Sequence, residues 1–432
     1  MARSFLAGEP SVEKIVDRAA QTLDRPWRWL QPVARRYVEA FAHRVRPRHS
    51  DVVQFLLSDP SFKRAWIKRF DKLSVEDWLT GPQRMQPIAA AAAWSVPAIE
   101  SVAALTDWLH LSLGELEWFA DLKGLGARRC DPRLIHYHYR LLSKKSGMLR
   151  LIEAPKPRLK EIQRQILSGI LNNIPSHPAV HGFIRGRSIK TFAAPHVGRR
   201  VVVRMDLQDF FPSFAARRIQ AFFRTVGYPE SVADLLGGLC TNAARLDDHS
   251  VLDRNIPAPS LREVRALYRR PHLPQGAPTS PALANLCAFR LDCRLSGLTQ
   301  SMGAQYTRYA DDLAFSGDER FAESLDRFVP YAASIALEEG FSTNHHKTRI
   351  MRQGVRQHLA GLVTNRHLNV RRVDVDRLKA ILTNCLRCGP QSQNRAGNAD
   401  FKAHLNGRVA FVETINPAKG QRLRRIFERI QW

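Results

Sequence analysis

The feature that most constrains this chain is Tyr309-Ala310-Asp311-Asp312. It lies between Ala304-Gln305-Tyr306-Thr307-Arg308 and Leu313-Ala314-Phe315-Ser316-Gly317, so two short strands meet at an acidic turn. Adjacent carboxylates at a hairpin tip repel each other and are costly to hold together without a cation. A hard divalent ion such as magnesium, which prefers oxygen ligands, relieves that repulsion. A second pair, Asp247-Asp248, sits in a polar stretch and reads as solvated turn chemistry. What sets the first pair apart is a third carboxylate. Asp206 ends the run Val201-Val202-Val203-Arg204-Met205, with Phe210-Phe211 just beyond. An aspartate at a strand end, packed beside the acidic hairpin, completes a site for two metal ions. One ion activates an attacking hydroxyl and the other steadies the leaving group.

The charge balance agrees with a polyanionic substrate. The formal net charge is +26 and the pI near 10.6, a cationic surface that attracts nucleic acid. With 432 residues, 44% of them apolar, the chain can bury a real core and is expected to form two or three cooperating units. The six cysteines are sparse and suggest no disulfide framework, which points to a reducing compartment. Cys385 and Cys388 have metal-like spacing, but the nearest further candidate is the lone His404, short of the four ligands of a structural zinc site. No uninterrupted apolar run of about eighteen residues is present, which argues against a membrane span. Met1 to Pro10 lacks the basic and apolar plan of a secretion signal, so the expectation is a cytoplasmic protein.

Residues 1 to about 125 read as helical and hold seven of the eight tryptophans, more readily core residues than base-stacking platforms. Ala103 to Phe119 repeats apolar residues at three and four, and Ser112-Leu113-Gly114-Glu115 reads as a capping box. From about 130 strands and helices alternate. Ile135–Leu142 and Met148–Ile152 flank a basic hairpin tip containing Lys144 and Lys145, and Leu159–Asn172 reads as an amphipathic helix. Residues 245–272 read as a long loop or insertion. The tail from about 371 is basic and ends on a helical pattern carrying Arg422, Arg424, Arg425 and Arg429.

Three motifs in order resemble those of reverse transcriptases. Asp206-Leu207-Gln208-Asp209-Phe210-Phe211 is similar to the family's first catalytic motif, and Tyr309 to Asp312 to its Tyr-Ala-Asp-Asp box. Leu273-Pro274-Gln275-Gly276-Ala277-Pro278-Thr279-Ser280-Pro281 resembles the motif that positions template and nucleotide. The resemblance implies an α+β right-hand polymerase. Its parts would be an N-terminal helical extension (1–125), fingers (126–200), a palm of antiparallel sheet and helices with an insertion near 245–272 (201–365), and a helical thumb (366–432). It implies Asp206 and Asp311 as principal ligands of two Mg2+ ions, with Asp312 more weakly coordinated and the Leu207 carbonyl assisting. Phe211 would be the steric gate against a ribose 2′-hydroxyl, and Phe210 a core residue. Gln275 and Gly276 would lie against the incoming base pair, Arg150 and Lys144 would bind the triphosphate of a dNTP, and Lys347 would protonate or neutralise pyrophosphate. His345 and His346 would be exposed neighbours.

Within the family, Leu159 to Leu167, His181 to Ile189, Leu405 to Val409 and Asn416-Pro417 resemble bacterial retron enzymes. Two positions depart from the retron pattern. Phe192 replaces the asparagine of an Asn-Ala-x-x-His element, and Asn365 replaces the glycine of Val-Thr-Gly, where asparagine's tolerance of left-handed backbone would keep a turn. A retron enzyme implies a structured non-coding RNA as template and primer, a branched RNA–DNA product (msDNA), a role in phage defence and an effector protein as partner. Arg371, Arg372, Arg408 and Arg422 would hold the RNA–DNA hybrid or an RNA stem. The alternatives are a non-retron defence or intron-derived reverse transcriptase, or an RNA-binding scaffold that sequesters an effector.

Overall fold

The computed structural model describes residues 1–7, 9–23, 25–42, 47–69, 72–76, 85, 87–128, 132–143, 149–244 and 258–432. Contacts divide the chain into two compact units, Met1–Pro175 with Phe214–Leu283, and Ser176–Ser213 with Ala284–Trp432.

The first unit opens with helices Ala2–Leu6, Val12–Thr22, Leu30–Ala40, His49–Ser58 and Pro60–Arg69. Apolar residues at helical spacing close one core. Ile15 and Ala19 come from the second helix, Leu30, Val33 and Tyr37 from the third, and Val52 and Leu56 from the fourth. Ser112 and Glu115 form the expected capping box at the start of helix Leu113–Ala120. The expected hairpin is also present. β1 (Tyr137–Ser143) pairs antiparallel with β2 (Leu149–Pro155), and Leu142 stands opposite Arg150. Lys144 and Lys145 lie outside the described residues, as do Asp247 and Asp248. Helix Pro157–Gly169 buries Leu159, Ile162 and Ile166. The loop reading of 245–272 is corrected in part, because Ala258–Tyr268 is a helix. Its Val264 and Tyr268, with Leu267, pack on Leu149 and Leu151 of β2, and that apolar contact outweighs the polar composition around it.

In the second unit β3 (Val201–Asp206), β4 (Gln305–Tyr309), β5 (Asp312–Gly317) and β6 (Arg349–Arg352) form an antiparallel sheet in the order β4-β5-β3-β6. Val201, Val202, Val203 and Met205 of β3 are all buried, which accounts for the near-continuous apolar run. A small sheet of β7 (His358–Leu359), β8 (Leu362–Val363) and β9 (Asn369–Val370) leads to helices Arg372–Cys388, Phe401–Ile415 and Pro417–Phe427. These helices share a core with Phe192, Val202 and Met351. Cys385 is buried there as an apolar side chain, while Cys388, one turn on, is exposed.

Both departures from the retron pattern have a local physical account. Phe192 is fully buried in this core, its ring 5.7 Å from that of Tyr309, and its carbonyl accepts a hydrogen bond from the Thr307 hydroxyl. His196 lies buried between the hydroxyls of Ser316 and Thr307 at 2.6 and 2.7 Å, and burial pushes its pKa down to about 3. It is a neutral structural histidine. Asn365 does not use left-handed backbone, since it is absent from the residues of positive φ. Its side chain ties the loop instead. Oδ1 accepts from the Gln357 amide at 2.9 Å, and Nδ2 donates to the carbonyls of Val355 and Gln353 at 2.8 and 3.3 Å.

A buried polar network holds the acidic hairpin. Arg308 and Asp292 are both fully buried and form a two-pronged ion pair, Nε to Oδ1 at 2.8 Å and Nη2 to Oδ2 at 2.7 Å. The Tyr306 hydroxyl donates to Asp292 at 2.8 Å. The third guanidinium nitrogen, Nη1, donates to the Asn285 side chain and to the carbonyl of Ala310, each at 3.1 Å. Asn285 in turn donates to the carbonyl of Gly182 at 2.8 Å. A Cβ on Gly182 would come within 2.7 Å of the Ala310 amide nitrogen, so only glycine lets this segment lie against the turn.

Two stability changes are expected. Asn365→Gly, which restores the family's glycine, removes three hydrogen bonds and lowers stability by about 1–3 kcal/mol, read as a fall in thermal midpoint. Asp292→Asn strands a buried guanidinium and costs about 3–5 kcal/mol, whereas Tyr306→Phe costs about 1.5 kcal/mol. Equal losses in the last two variants would show that the ion pair is not the centre of the network.

Candidate active site

The site grows from the ends of β3 and β5. Register pairs Asp206 with Asp312, and the Leu207 amide donates to the Asp311 carbonyl at 2.9 Å. Tyr309 pairs with Asp312 and leaves Ala310-Asp311 as a two-residue turn, with Ala310 at φ 55°. That value is costly for a residue with a Cβ, and Arg308 and Gly182 hold it in place. Thus the backbone brings the three aspartates singled out in the sequence to neighbouring strand ends. Asp206 is 5% exposed, while Asp311 and Asp312 are half-buried. Burial, followed by the nearby Asp312 and Asp206 charges, raises the Asp311 carboxyl above the ordinary range. Burial raises Asp312 as well, partly countered by Arg204.

Two cations face this charge. Lys347 Nζ lies 3.1 and 2.9 Å from the two oxygens of Asp206. It is delivered by a short turn, His345–Lys347, whose preceding Asn344 accepts the Lys347 amide through Oδ1 and donates its own amide to the Asp206 carbonyl at 2.8 Å. His345 and His346 are exposed, as expected. Arg204 was not singled out by the sequence reading. Its Nε and Nη2 both donate to Asp312 Oδ1, at 2.8 and 2.6 Å. The signal was there, because a cation two residues before Asp206 on an apolar strand shares its face. Among the described residues no three His, Cys, Asp or Glu side chains are gathered into a metal-holding group. Asp206 and Asp312 are engaged by these cations instead. The donor set still fits a hard divalent ion, because it is all oxygen and two of its members are raised by burial in a way added positive charge would reverse.

Phe210 is buried, with Phe341 at 5.9 Å and the Arg308 guanidinium at 5.7 Å from its ring. Phe211 is half-buried and lies 6.3 Å from Phe183. Phe183, another residue missed from sequence, is 53% exposed at φ 60° and also lies 6.3 Å from Tyr309. An exposed aromatic held in left-handed backbone beside two motif residues is a candidate contact to a nucleotide.

Arg150, Gln275 and Gly276 belong to the other unit. Arg150 is half-buried on β2. The Gln275 carbonyl accepts from the Glu153 amide at 2.9 Å, and a Cβ on Gly276 would fall 2.8 Å from the Glu153 carbonyl oxygen. The close approach that demands glycine here is to β2. Glu153 is fully buried and accepts from Asn242 at 2.8 Å and from His272 at 2.9 Å, fastening the Leu273–Gly276 stretch to the strand that carries Arg150. In the C-terminal helices Arg422 is exposed and Arg408 half-buried. Arg371 and Arg372 are exposed and pair with Asp374 and Asp376 of their own helix, contacts too weak to withhold them from phosphate.

Comparison with known proteins agrees with this geometry. Residues 142–374 match the family model described as reverse transcriptase (RNA-dependent DNA polymerase). The chain is similar to the retron Mx65 reverse transcriptase of Myxococcus xanthus, 40% identical over 70% of this chain and 67% of that one. It is 37% identical to the retron Mx162 reverse transcriptase of the same organism, over 75% of this chain and 65% of that one. Against the retron Ec86 reverse transcriptase of Escherichia coli the identity is 30%, covering 66% of this chain and 79% of that one. The match therefore spans about two thirds of the two Myxococcus relatives. Enzymes of this family depend on divalent metal ions, and among the described residues no helix is long and apolar enough to cross a membrane. The chain belongs to the reverse transcriptases, RNA-directed DNA polymerases, and within them to the bacterial retron type.

Proposed function

We propose that this chain copies a structured non-coding RNA into DNA, with Asp206, Asp311 and Asp312 at the reacting centre. The observation that carries the reading is electrostatic. Asp206 and Asp312 are register partners, Asp311 sits in the turn between strands, and burial with mutual repulsion leaves the centre short of positive charge. Two magnesium ions held by these carboxylates and the Leu207 carbonyl would activate the primer hydroxyl and neutralise the departing pyrophosphate.

The chain's own residues do the positioning. Arg308 and Gly182 fix the turn, Arg204 steadies Asp312, and Lys347 exchanges its contact with Asp206 for the pyrophosphate, which it neutralises or protonates. Arg150 and Lys144 bind the triphosphate, Gln275 and Gly276 lie against the base pair, and Phe211 crowds a 2′-hydroxyl. Residues 1–125 extend fingers (126–200), palm (201–365) and thumb (366–432). The thumb's Arg371, Arg372, Arg408 and Arg422 hold the hybrid duplex through its phosphates. The RNA serves as template and primer, the product is branched, and the biological setting is phage defence with an effector protein.

Primer extension on an RNA template tests the reading. Asp311→Asn lowers the rate by at least about 100-fold, and normal synthesis by that variant would sink the metal assignment. The same variant raises the thermal midpoint of the metal-free protein. A carboxyl whose folded pKa exceeds its unfolded value loses stability as pH rises from the unfolded to the folded value, so at neutral pH a neutral asparagine removes that loss. Phe211→Ala admits ribonucleotides, and an unchanged sugar preference would remove the gate role.

A further inference from the structure

Glu153 and His272 form a buried ionisable pair in the first unit, with side chains 0% and 1% exposed, and the sequence motifs include neither. Burying such groups is costly unless their polar atoms find partners, and here all four do. His272 Nδ1 donates to the Arg270 carbonyl at 2.7 Å, and Nε2 meets Glu153 Oε2 at 2.9 Å. Glu153 Oε1 accepts from Asn242 Nδ2 at 2.8 Å, and that nitrogen also donates to the Tyr139 hydroxyl at 3.1 Å. The backbones of Asn242 and His272 exchange two hydrogen bonds of 3.0 Å, and the Tyr268 ring meets His272 edge-on at 5.2 Å. The pair is therefore fixed from several sides.

Its place on β2 suggests what it does. Burial alternates along that strand, with Leu149, Leu151 and Glu153 on the covered face and Arg150 and Ile152 on the other. On the edge turned away from β1, the Leu151 amide donates to the Tyr268 hydroxyl at 3.4 Å and the Glu153 amide to the Gln275 carbonyl at 2.9 Å. A Cβ on Gly276 would fall 2.8 Å from the Glu153 carbonyl oxygen and 3.5 Å from Ile152 Cγ2. The stretch is thus rooted at His272 beneath the strand, crosses its edge at Glu153 and arrives beside Ile152, on the face that carries Arg150. We propose that Glu153 and His272 are positioning residues for the incoming nucleotide, holding Gln275 and Gly276 at a fixed offset from Arg150. The inference rests on the reading that those three residues bind a dNTP. Triphosphate and base then meet one preorganised body rather than two segments that must be ordered on binding. Both contacts are made before the chemical step, so loosening them raises the KM for dNTP more than it lowers kcat.

Single-nucleotide extension of a primed RNA template by the full chain tests this. Glu153→Leu leaves His272 and Asn242 without their acceptor and should raise the dNTP KM by about 10-fold, with kcat within about three-fold of wild type. Glu153→Gln has the same shape and should keep the KM within about two-fold. Its oxygen accepts from Asn242, and its amide donates to Nε2 of a neutral imidazole. Val52→Ala, in the N-terminal core, should lower the thermal midpoint and leave the KM unchanged. If Glu153→Leu does not fold, Asn242→Ala, which removes one donor to Glu153, takes its place with an expected rise of about three-fold. An unchanged KM in the variant that folds overturns the inference. So does an equal rise in Glu153→Gln, or in Val52→Ala. Arg150→Ala is measured alongside. If it leaves the dNTP KM unchanged, the nucleotide-site reading itself fails. If it raises the KM while Glu153→Leu and Asn242→Ala do not, only the positioning role falls.

Discussion

Three like charges converge where β3 and β5 end, and the second unit is organised around keeping them together. Two unit charges about 4 Å apart repel by roughly 4 kcal/mol at an effective dielectric of 20, so such a cluster survives only on a scaffold that cannot relax. Register supplies part of that scaffold by fixing Asp206 opposite Asp312. The Asp311 carbonyl accepting the Leu207 amide supplies another part, because the turn cannot swing outward without breaking that bond.

The remaining stiffness comes from below the turn. Ala310 adopts left-handed backbone without being glycine, and such a conformation persists only where its surroundings over-determine it. Arg308 reaches from the adjacent strand to the Ala310 carbonyl, and its charge is held in the interior by Asp292, Tyr306 and Asn285. A buried ion pair is not by itself a source of stability, since desolvation of both partners offsets their attraction. Here it fixes a direction. The planar guanidinium spends two nitrogens on Asp292, and the third is thereby aimed at the turn.

Much of this was legible in the sequence, and what was not had specific reasons. The acidic hairpin, the β3 strand and the capping box at Ser112 each depend on near neighbours, so local pattern sufficed. The helix at Ala258–Tyr268 depends on an apolar partner more than a hundred residues earlier in the chain, which no local window contains. Asn365 was read for its backbone and acts through its side chain, because hydrogen-bond partners eight to twelve residues away cannot be seen in a dipeptide preference. The tryptophans were read alike because spacing alone does not separate Trp29 from Trp66. Only the fold shows which of them the N-terminal core covers.

The two cations at the site differ in a way that accounts for unequal roles among the carboxylates. Arg204 projects from the same strand as Asp206 and places two nitrogens on one oxygen of Asp312, a rigid contact made by a planar group. Lys347 reaches Asp206 at the end of a four-carbon stem, and half of its side chain is exposed. An ammonium on such a stem gives way to a competing divalent charge more readily than a two-pronged guanidinium does. Asp206 is therefore the carboxylate that can be vacated for an incoming cation, and Asp312 the one that keeps a partner. Asp311, raised by burial and by both neighbours, is relieved by positive charge brought to it. These unequal neighbours support the proposal that Asp206 and Asp311 hold metal ahead of Asp312.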